Sequence, residues 1–330
     1  MKKLFSLKRK RLNYALFLIL LFLIITLSIF PERYSKSTYK GVILWGTAVL
    51  PSLLPYFFLT ALLSKTGVLS EFGNTLTPLT KKPFRLGGIS VYAFLTSVLS
   101  GYPVGSKIVS DLKKSNAISL GEAHRLSLLC STSGPLFIIG AVGLCMFKDK
   151  TIGFILYITH VLSAILTALI FRNAGGDPKC NFSKILTEKD DNALYDAIYS
   201  SVISVLIVGG FVSVFFVVSE ILTDFKILYP LTLLVTAVLR PLGADLEIGK
   251  AFSVGIIEFT KGSQMLSQAV CPLTVSLSCF LITFGGLSVI MQSLVFLKKA
   301  NVKTGFFILG KLVQATISGL LCYFSCLIFL

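Results

Sequence analysis

The segment SGYPVGSK, residues 100–107, follows an apolar run and contains residues that are unfavourable in a lipid-buried helix. Glycines flank Pro103, which donates no backbone hydrogen bond, so the segment predicts a break between two helical arms. The second arm would begin near Pro103, and its free amides would attract an anion, with Lys107 in the first turn. The candidate binding residues here are Gly101, Tyr102, Pro103, Gly105, Ser106 and Lys107.

The same segment has a structural alternative. Gly101 and Gly105 have the Gly-x-x-x-Gly spacing that packs two membrane helices closely, and Lys107 would then extend its ammonium to the membrane surface. We favour the functional interpretation because a proline within that spacing disfavours a packing seam.

Two further segments place polar groups inside apolar runs. In STSGP, residues 131–135, the hydroxyls would bind a ligand or satisfy the backbone groups freed by Pro135. In IIEFTKGS, Glu258 is a candidate proton or cation site, unless it forms an ion pair with Lys261 one helical turn away. The candidate binding residues in these segments are Ser131, Thr132, Ser133, Gly134, Glu258, Thr260, Lys261, Gly262 and Ser263.

Other polar residues in apolar surroundings have simpler interpretations. His160 would relay protons or, as we favour, form structural hydrogen bonds. Glu220 and Lys311 are assigned to helix ends, where their charged groups would extend to the membrane surface.

The sequence offers no catalytic centre, metal site or cofactor site. It lacks the GxxxxGK[ST], HExxH and GxSxG motifs, and its 2 histidines are too few for a typical metal centre. Its 7 cysteines show no CxxC spacing and are interpreted as small buried apolar residues. We therefore expect no enzymatic activity, and an intramembrane enzyme ranks behind a transporter.

Composition indicates the elements that position these residues. Apolar residues make up 54% of the 330-residue chain and charged residues only 14%, which is typical of a membrane protein. The apolar runs are continuous, so the spanning segments are predicted to be helices. The net charge is +16, and the basic residues lie in short loops between these runs. This distribution indicates membrane topology and not nucleic-acid binding.

The apolar pattern predicts seven crossings and two hairpins that enter and leave on one side. With the N-terminus in the cytoplasm, cytoplasmic loops carry most of the lysines and arginines, as the positive-inside rule requires. Helices are predicted over residues 14–30, 41–69, 119–147, 152–172, 195–222, 272–297 and 305–330, and hairpins over 88–112 and 249–269.

An internal repeat supports this organisation. Short blocks recur in the same order, with Gly105 matching Gly262 and Gly134 matching Gly285. An odd number of crossings per half would invert the halves, a pattern of secondary transporters. The predicted fold is an all-α polytopic integral membrane protein with two inverted repeats, each containing a re-entrant hairpin, plus an extra N-terminal transmembrane helix. Its parts are a basic tail and first helix (1–40), a first repeat (41–172), a cytoplasmic linker (173–194) and a second repeat (195–330).

Several of these motifs together resemble a known family. SGYPVGSK, EAHRLSLLCSTSGPLFIIGAVG and IIEFTKGS occur in the order found in the sporulation integral membrane protein family called YlbJ or SpoVV. Each half is also similar to the nucleoside-recognition "Gate" domain. The resemblance implies transport of dipicolinate across the outer forespore membrane of a sporulating bacterium.

The sequence-based hypothesis is thus a multi-pass secondary transporter of a small organic anion, with the N-terminus cytoplasmic. One alternative is a carrier of nucleosides or other heterocycles, and another is a sporulation membrane protein that assembles with partners and transports nothing. The expected partners are the substrate and the lipid bilayer, with no nucleic acid. A homo-oligomer or a sporulation membrane partner is left open.

Overall fold

A computed structural model of the chain describes residues 2–64, 75–175 and 192–330, and within these ranges the regular structure is entirely helical. Continuous apolar sequence explains this, because a helix satisfies its own backbone groups without water. In chain order the helices are α1 (Lys2–Ile29), α2 (Pro31–Leu44), α3 (Leu50–Ser64), α4 (Thr77–Phe84), α5 (Ile89–Ser100), α6 (Val104–Lys114), α7 (Leu120–Leu129), the π-helical α8 (Leu136–Met146), α9 (Lys150–Ile170), α10 (Ala193–Asp224), α11 (Tyr229–Leu239), α12 (Leu246–Ile257), α13 (Phe259–Leu266), α14 (Pro272–Phe284), α15 (Gly286–Leu297) and α16 (Thr304–Phe329).

Several of these helices could span a membrane. Among the described residues, α9, α10, the segment Pro272–Leu297 and α16 are long and apolar enough to cross a bilayer. A fifth candidate is formed by α1 and α2 together, which are bent by 104° at a short break. From Tyr14 to Ile29, most of the apolar side chains of α1 that the structure describes are exposed, as expected for a helix that faces lipid. The chain is therefore an all-α, multi-pass membrane protein.

The order of elements recurs in the two halves. A long helix (α3 or α10) and a short one (α4 or α11) are followed by a hairpin (α5–α6 or α12–α13). A broken helix (α7–α8 or α14–α15) and a final spanning helix (α9 or α16) complete each set. The internal repeat expected from the sequence stays a prediction. The inverted orientation of the halves and the domain boundaries remain predictions.

Some sequence-based boundaries were wrong. The region assigned to 272–297 as one helix is divided at Gly285, and helix α11 occupies a region that was assigned to a loop. The helix predicted from residue 41 already begins at Pro31 in α2, and a π-helical turn, Trp45–Val49, joins α2 to α3. Residues 65–69 of that prediction, and most of the predicted linker 173–194, lie outside the described residues.

The apolar core lies where the hairpins and the broken helices meet. Its largest cluster combines side chains from α3, α8, α9, α10 and α12 to α16. Tyr102 and Phe259, one from each hairpin, are both part of this cluster. The core thus holds the two hairpins toward each other.

Candidate functional site

The first hairpin is seated directly on the first broken helix. Gly101 has φ = +80°, a conformation that a residue with a side chain rarely adopts, and it turns the chain from α5 toward α6. A Cβ atom on Gly101 would lie 2.6 Å from the backbone nitrogen of Gly134, and one on Gly105 would lie 1.8 Å from the carbonyl oxygen of Cys130. The contact is therefore backbone against backbone, and glycine is required for it.

Two polar groups of the break at residues 131–134, from Thr132 and Ser133, have partners within the protein. Thr132 donates its hydroxyl to Ser97 Oγ at 3.1 Å, and the Ser133 amide donates to His160 Nε2 at 2.8 Å. The Ser131 hydroxyl is buried without a hydrogen-bond partner. Thr132 thus fits the structural interpretation of this segment, whereas the Ser131 hydroxyl is available to bind a ligand.

The same arrangement recurs in the second half. The carboxylate of Glu258, at the break between α12 and α13, accepts the Lys261 amide at 2.8 Å and the Thr260 hydroxyl at 3.1 Å. Glu258 is therefore the N-cap of α13, a position at which the helix dipole favours a negative charge. A Cβ on Gly286, in the second break, would lie 3.0 Å from the carbonyl oxygen of Gly255, so this hairpin also rests on a broken helix.

The ammonium of Lys261 is not paired with Glu258, so the structural alternative proposed from the sequence is wrong. Lys261 Nζ instead lies 2.6 Å from Glu220 Oε2 and 3.2 Å from Ser219 Oγ. It also lies 5.5 Å from the centre of the Phe216 ring. Lys261 therefore connects the second hairpin to α10. Glu220, which was assigned to a helix end with its charge at the membrane surface, has this ion-pair partner as well.

A small cavity lies between the two hairpin–break junctions. We call it the inner cavity, and its volume is about 30 Å³, about the size of one water molecule. Two of its polar groups, Ser288 Oγ and Gln292 Oε1, are buried without hydrogen-bond partners. Its polar lining residues come from both halves and are Tyr102, Ser133, Thr260, Ser288 and Gln292.

A larger opening, the outer cleft, lies along the same helices. Its volume is about 580 Å³, which suits a small organic ligand, and its lining includes Lys107, Asp111, Tyr92, Asp196 and Tyr199. On α3, Phe57 lines the cleft and Leu53 lines the inner cavity; on α10, Ser204 and Val208 do the same. Each pair is one helical turn apart, so the cleft and the cavity follow each other along one seam.

The structure brings only some of the predicted binding residues together. Tyr102, Ser133 and Thr260 meet at the inner cavity, while Lys107 faces the outer cleft. The remaining candidates are packed or capped near these positions. Pro103 precedes α6 as its N-cap residue, Ser106 and Ser263 are buried in the hairpins, and Gly262 packs against Gly255.

Sequence reasoning missed the most distinctive charged residue. Lys311 was assigned to a helix end, yet its side chain is only 1% exposed and its ammonium contacts the first hairpin and the first break. A usable signal was Gln314, which lies one turn further along the otherwise apolar α16. Ser288 and Gln292 of α15 are likewise one turn apart and were not selected.

Comparisons with known proteins concern the family and the fold. The chain is 28% identical over 317 residues to "Sporulation integral membrane protein YlbJ" of Bacillus subtilis (strain 168), an alignment that covers 89% of this chain and 78% of that protein. This chain is similar to a sporulation membrane protein. The identity supports the family that the sequence motifs resemble. No family model matches the chain, so the likeness to Gate domains remains a prediction.

Solved structures provide a likeness in fold. A variant of CNTnw in an outward-facing state aligns with a TM-score of 0.53 at 11% identity, covering 92% of this chain and 85% of that one. A second CNTnw variant in an outward-facing state aligns with a TM-score of 0.46 at 10% identity. The first alignment shows that this chain shares its fold with CNTnw.

Proposed function

We propose that the protein is a secondary transporter of a small organic anion, and that this anion is dipicolinate. The observation that carries the proposal is the buried ammonium of Lys311, which contacts Tyr102 at the inner cavity and has only neutral hydrogen-bond partners. A bound carboxylate would supply the missing counter-charge. The similarity to a sporulation membrane protein and the transporter-like fold support the proposed process and mode of action.

The other buried charges of the hairpin region have compensation within the protein. Glu258 is stabilised by the N-terminal end of α13, and Lys261 is paired with Glu220. A charge that is removed from water without a counter-charge is costly. Of these groups, Lys311 therefore gains most from an anion, and we propose that it replaces Lys261 in the anion site expected from the sequence.

The seam between α3 and α10 gives the proposed route. The outer cleft is large enough to admit a planar aromatic dianion, and Lys107 would attract it there. The inner cavity is too small for such a ligand in this conformation, so the hairpins must separate before it can advance. Lys107 and Lys311 would then act one after the other.

Flux measurements test the proposal directly. In vesicles that contain only this protein, we expect saturable exchange of dipicolinate, and Lys107→Met should weaken its apparent affinity about tenfold or more. The reason is that a hydrogen bond to a charged group contributes about 1.5–3 kcal/mol. Lys298→Met is the matched control, because Lys298 is an exposed lysine that does not line the cleft.

An uncharged heterocycle such as a nucleoside is the second candidate. It is favoured by Ser288 and Gln292, which line the inner cavity and whose neutral side-chain oxygens are buried without hydrogen-bond partners. Uridine exchange without dipicolinate exchange would support it, and then Lys107→Met should have little effect. Correctly inserted protein that moves neither compound would favour the non-transporting alternative.

For localisation, we propose a multi-pass bacterial membrane protein of the outer forespore membrane, with its N-terminus on the mother-cell side. Single cysteines at Lys113 and Lys299 should then react from the cytoplasmic side, and those at Lys148 and Lys250 from the opposite side. Asp111 of α6 lies close enough to Lys299 to feel its charge, which supports a common side for the first pair. Labelling of Lys113→Cys and Lys148→Cys from one side would contradict this topology.

A further inference from the structure

The ammonium of Lys311 joins three parts of the fold. Its Nζ lies 2.9 Å from Tyr102 Oη in the first hairpin and 3.1 Å from the carbonyl oxygen of Ser131 in the first break. The third contact, also 3.1 Å, is with Gln314 Oε1 in α16 itself. The ammonium also lies 4.9 Å from the centre of the Tyr102 ring, where a cation is attracted by the aromatic face.

All three oxygens act as acceptors toward Lys311. The Tyr102 hydroxyl proton points to the carbonyl oxygens of Thr283 and Ile282, at 3.1 and 3.3 Å, so its oxygen is left to accept. The Gln314 amide nitrogen lies 3.4 Å from the carbonyl oxygen of Ser131, and this orientation presents its oxygen to Lys311. In this closed arrangement the three acceptors match the three donors of a charged ammonium and leave no donor for the lone pair of a neutral amine, so a substrate carboxylate would replace them only after the hairpins separate.

The neighbouring titratable groups do not provide a negative counter-charge. His160 of α9 accepts the Ser133 amide at Nε2, so Nδ1 carries the proton and the ring is neutral. Cys279 of α14 is engaged with the Ser318 and Thr159 hydroxyls. Within residues 2–64, 75–175 and 192–330, the ammonium of Lys311 has no carboxylate partner.

A phenol, a carbonyl and an amide oxygen are also ligands that hold hard cations without water. We propose that Lys311 is a tethered cation that occupies a cation site, so that the hairpin is held to the break without a free metal ion. Sodium, potassium or another free monovalent cation is then not required for seating the hairpin. Only the flux part of the test below rests on the proposed transport function.

Thermal unfolding of the purified full chain in detergent tests the inference without any substrate. Wild-type protein should have the same melting temperature in sodium, potassium and choline chloride at equal ionic strength. Lys311→Ala should melt lower in choline and regain stability as propylammonium is added, because propylammonium replaces the atoms that the substitution removes. Propanol, the neutral isostere, should not restore it, and Lys107→Ala should show no response to propylammonium.

Flux measurements provide a second readout in vesicles. Wild-type transport should proceed at the same rate in sodium, potassium and choline, and Lys311→Ala should lose about tenfold or more in choline and recover with propylammonium. A wild-type protein whose stability or transport requires sodium would overturn the inference. So would a folded Lys311→Ala variant that responds to no cation. If Lys311→Ala does not fold, the wild-type measurements decide alone.

Discussion

Replacing Gly105 with alanine is expected to abolish transport and to destabilise the protein. The added methyl carbon would lie 1.8 Å from the carbonyl oxygen of Cys130 and 2.8 Å from Ser97 Cβ, and a backbone oxygen cannot rotate away as a side chain can. Overpacking in a rigid core typically costs about 1–3 kcal/mol, and this contact is closer than most. The first hairpin should therefore no longer pack against the break between α7 and α8.

The measurement is dipicolinate flux together with the yield and melting temperature of the purified protein. Gly140→Ala is the matched control, because a Cβ at Gly140 would meet no atom within 4 Å. The close contact at Gly105 predicts a loss of stability as well as a loss of transport. A Gly105→Ala protein as stable and active as the Gly140→Ala control would show that the hairpin is not seated in this way.

His160→Leu is expected to produce the second large effect. The imidazole accepts the Ser133 amide at Nε2 and donates from Nδ1 to Thr283 Oγ1, both at 2.8 Å, and it is fully buried. Leucine fills a similar volume but leaves the buried Ser133 amide without this partner, at a cost of about 1–3 kcal/mol, and reduces Thr283 Oγ1 to its contact with Ser318 Oγ. Because Ser133 lines the inner cavity, the loss should lower both stability and transport.

His160→Gln separates the hydrogen bonds from the imidazole ring. Its amide offers one acceptor and one donor, so it should recover a large part of the stability that leucine loses. Recovery would support the structural role for His160 that we favoured from the sequence. Equal stability of the wild type and His160→Leu would instead indicate that these two bonds contribute little.

The sequence predicted much of the fold because its main signals are local. The apolar runs specify the spanning helices, and the Gly-Pro spacing of residues 100–107 correctly located the first hairpin break. The break at Gly285 was missed because the surrounding segment, Pro272–Leu297, has no charged residue and is long and apolar enough to be interpreted as one spanning helix. Likewise, α11 lies in a short apolar segment that no charge pattern distinguishes from a loop.

The candidate site was less predictable because it depends on contacts between distant segments. The spacing of Glu258 and Lys261 suggested an ion pair. Lys261 instead pairs with Glu220, which lies 41 residues earlier in the chain. Lys311 contacts Tyr102, which lies 209 residues earlier in the chain, and a local sequence pattern cannot predict a contact between residues that far apart. The apolar runs therefore identify the spanning helices, while the burial of Lys311 and the partners of the buried charges follow only from the packing.

The small volume of the inner cavity has a consequence for the rate of loading. A ligand larger than one water molecule can enter only after the seam between α3 and α10 has widened, so the step must create space inside a close-packed core. Creating space has a positive activation volume, which hydrostatic pressure opposes. The outer cleft is already large enough for a ligand, so binding there does not require the core to open. Pressure would thus slow the passage of substrate through the protein more than its capture from solution.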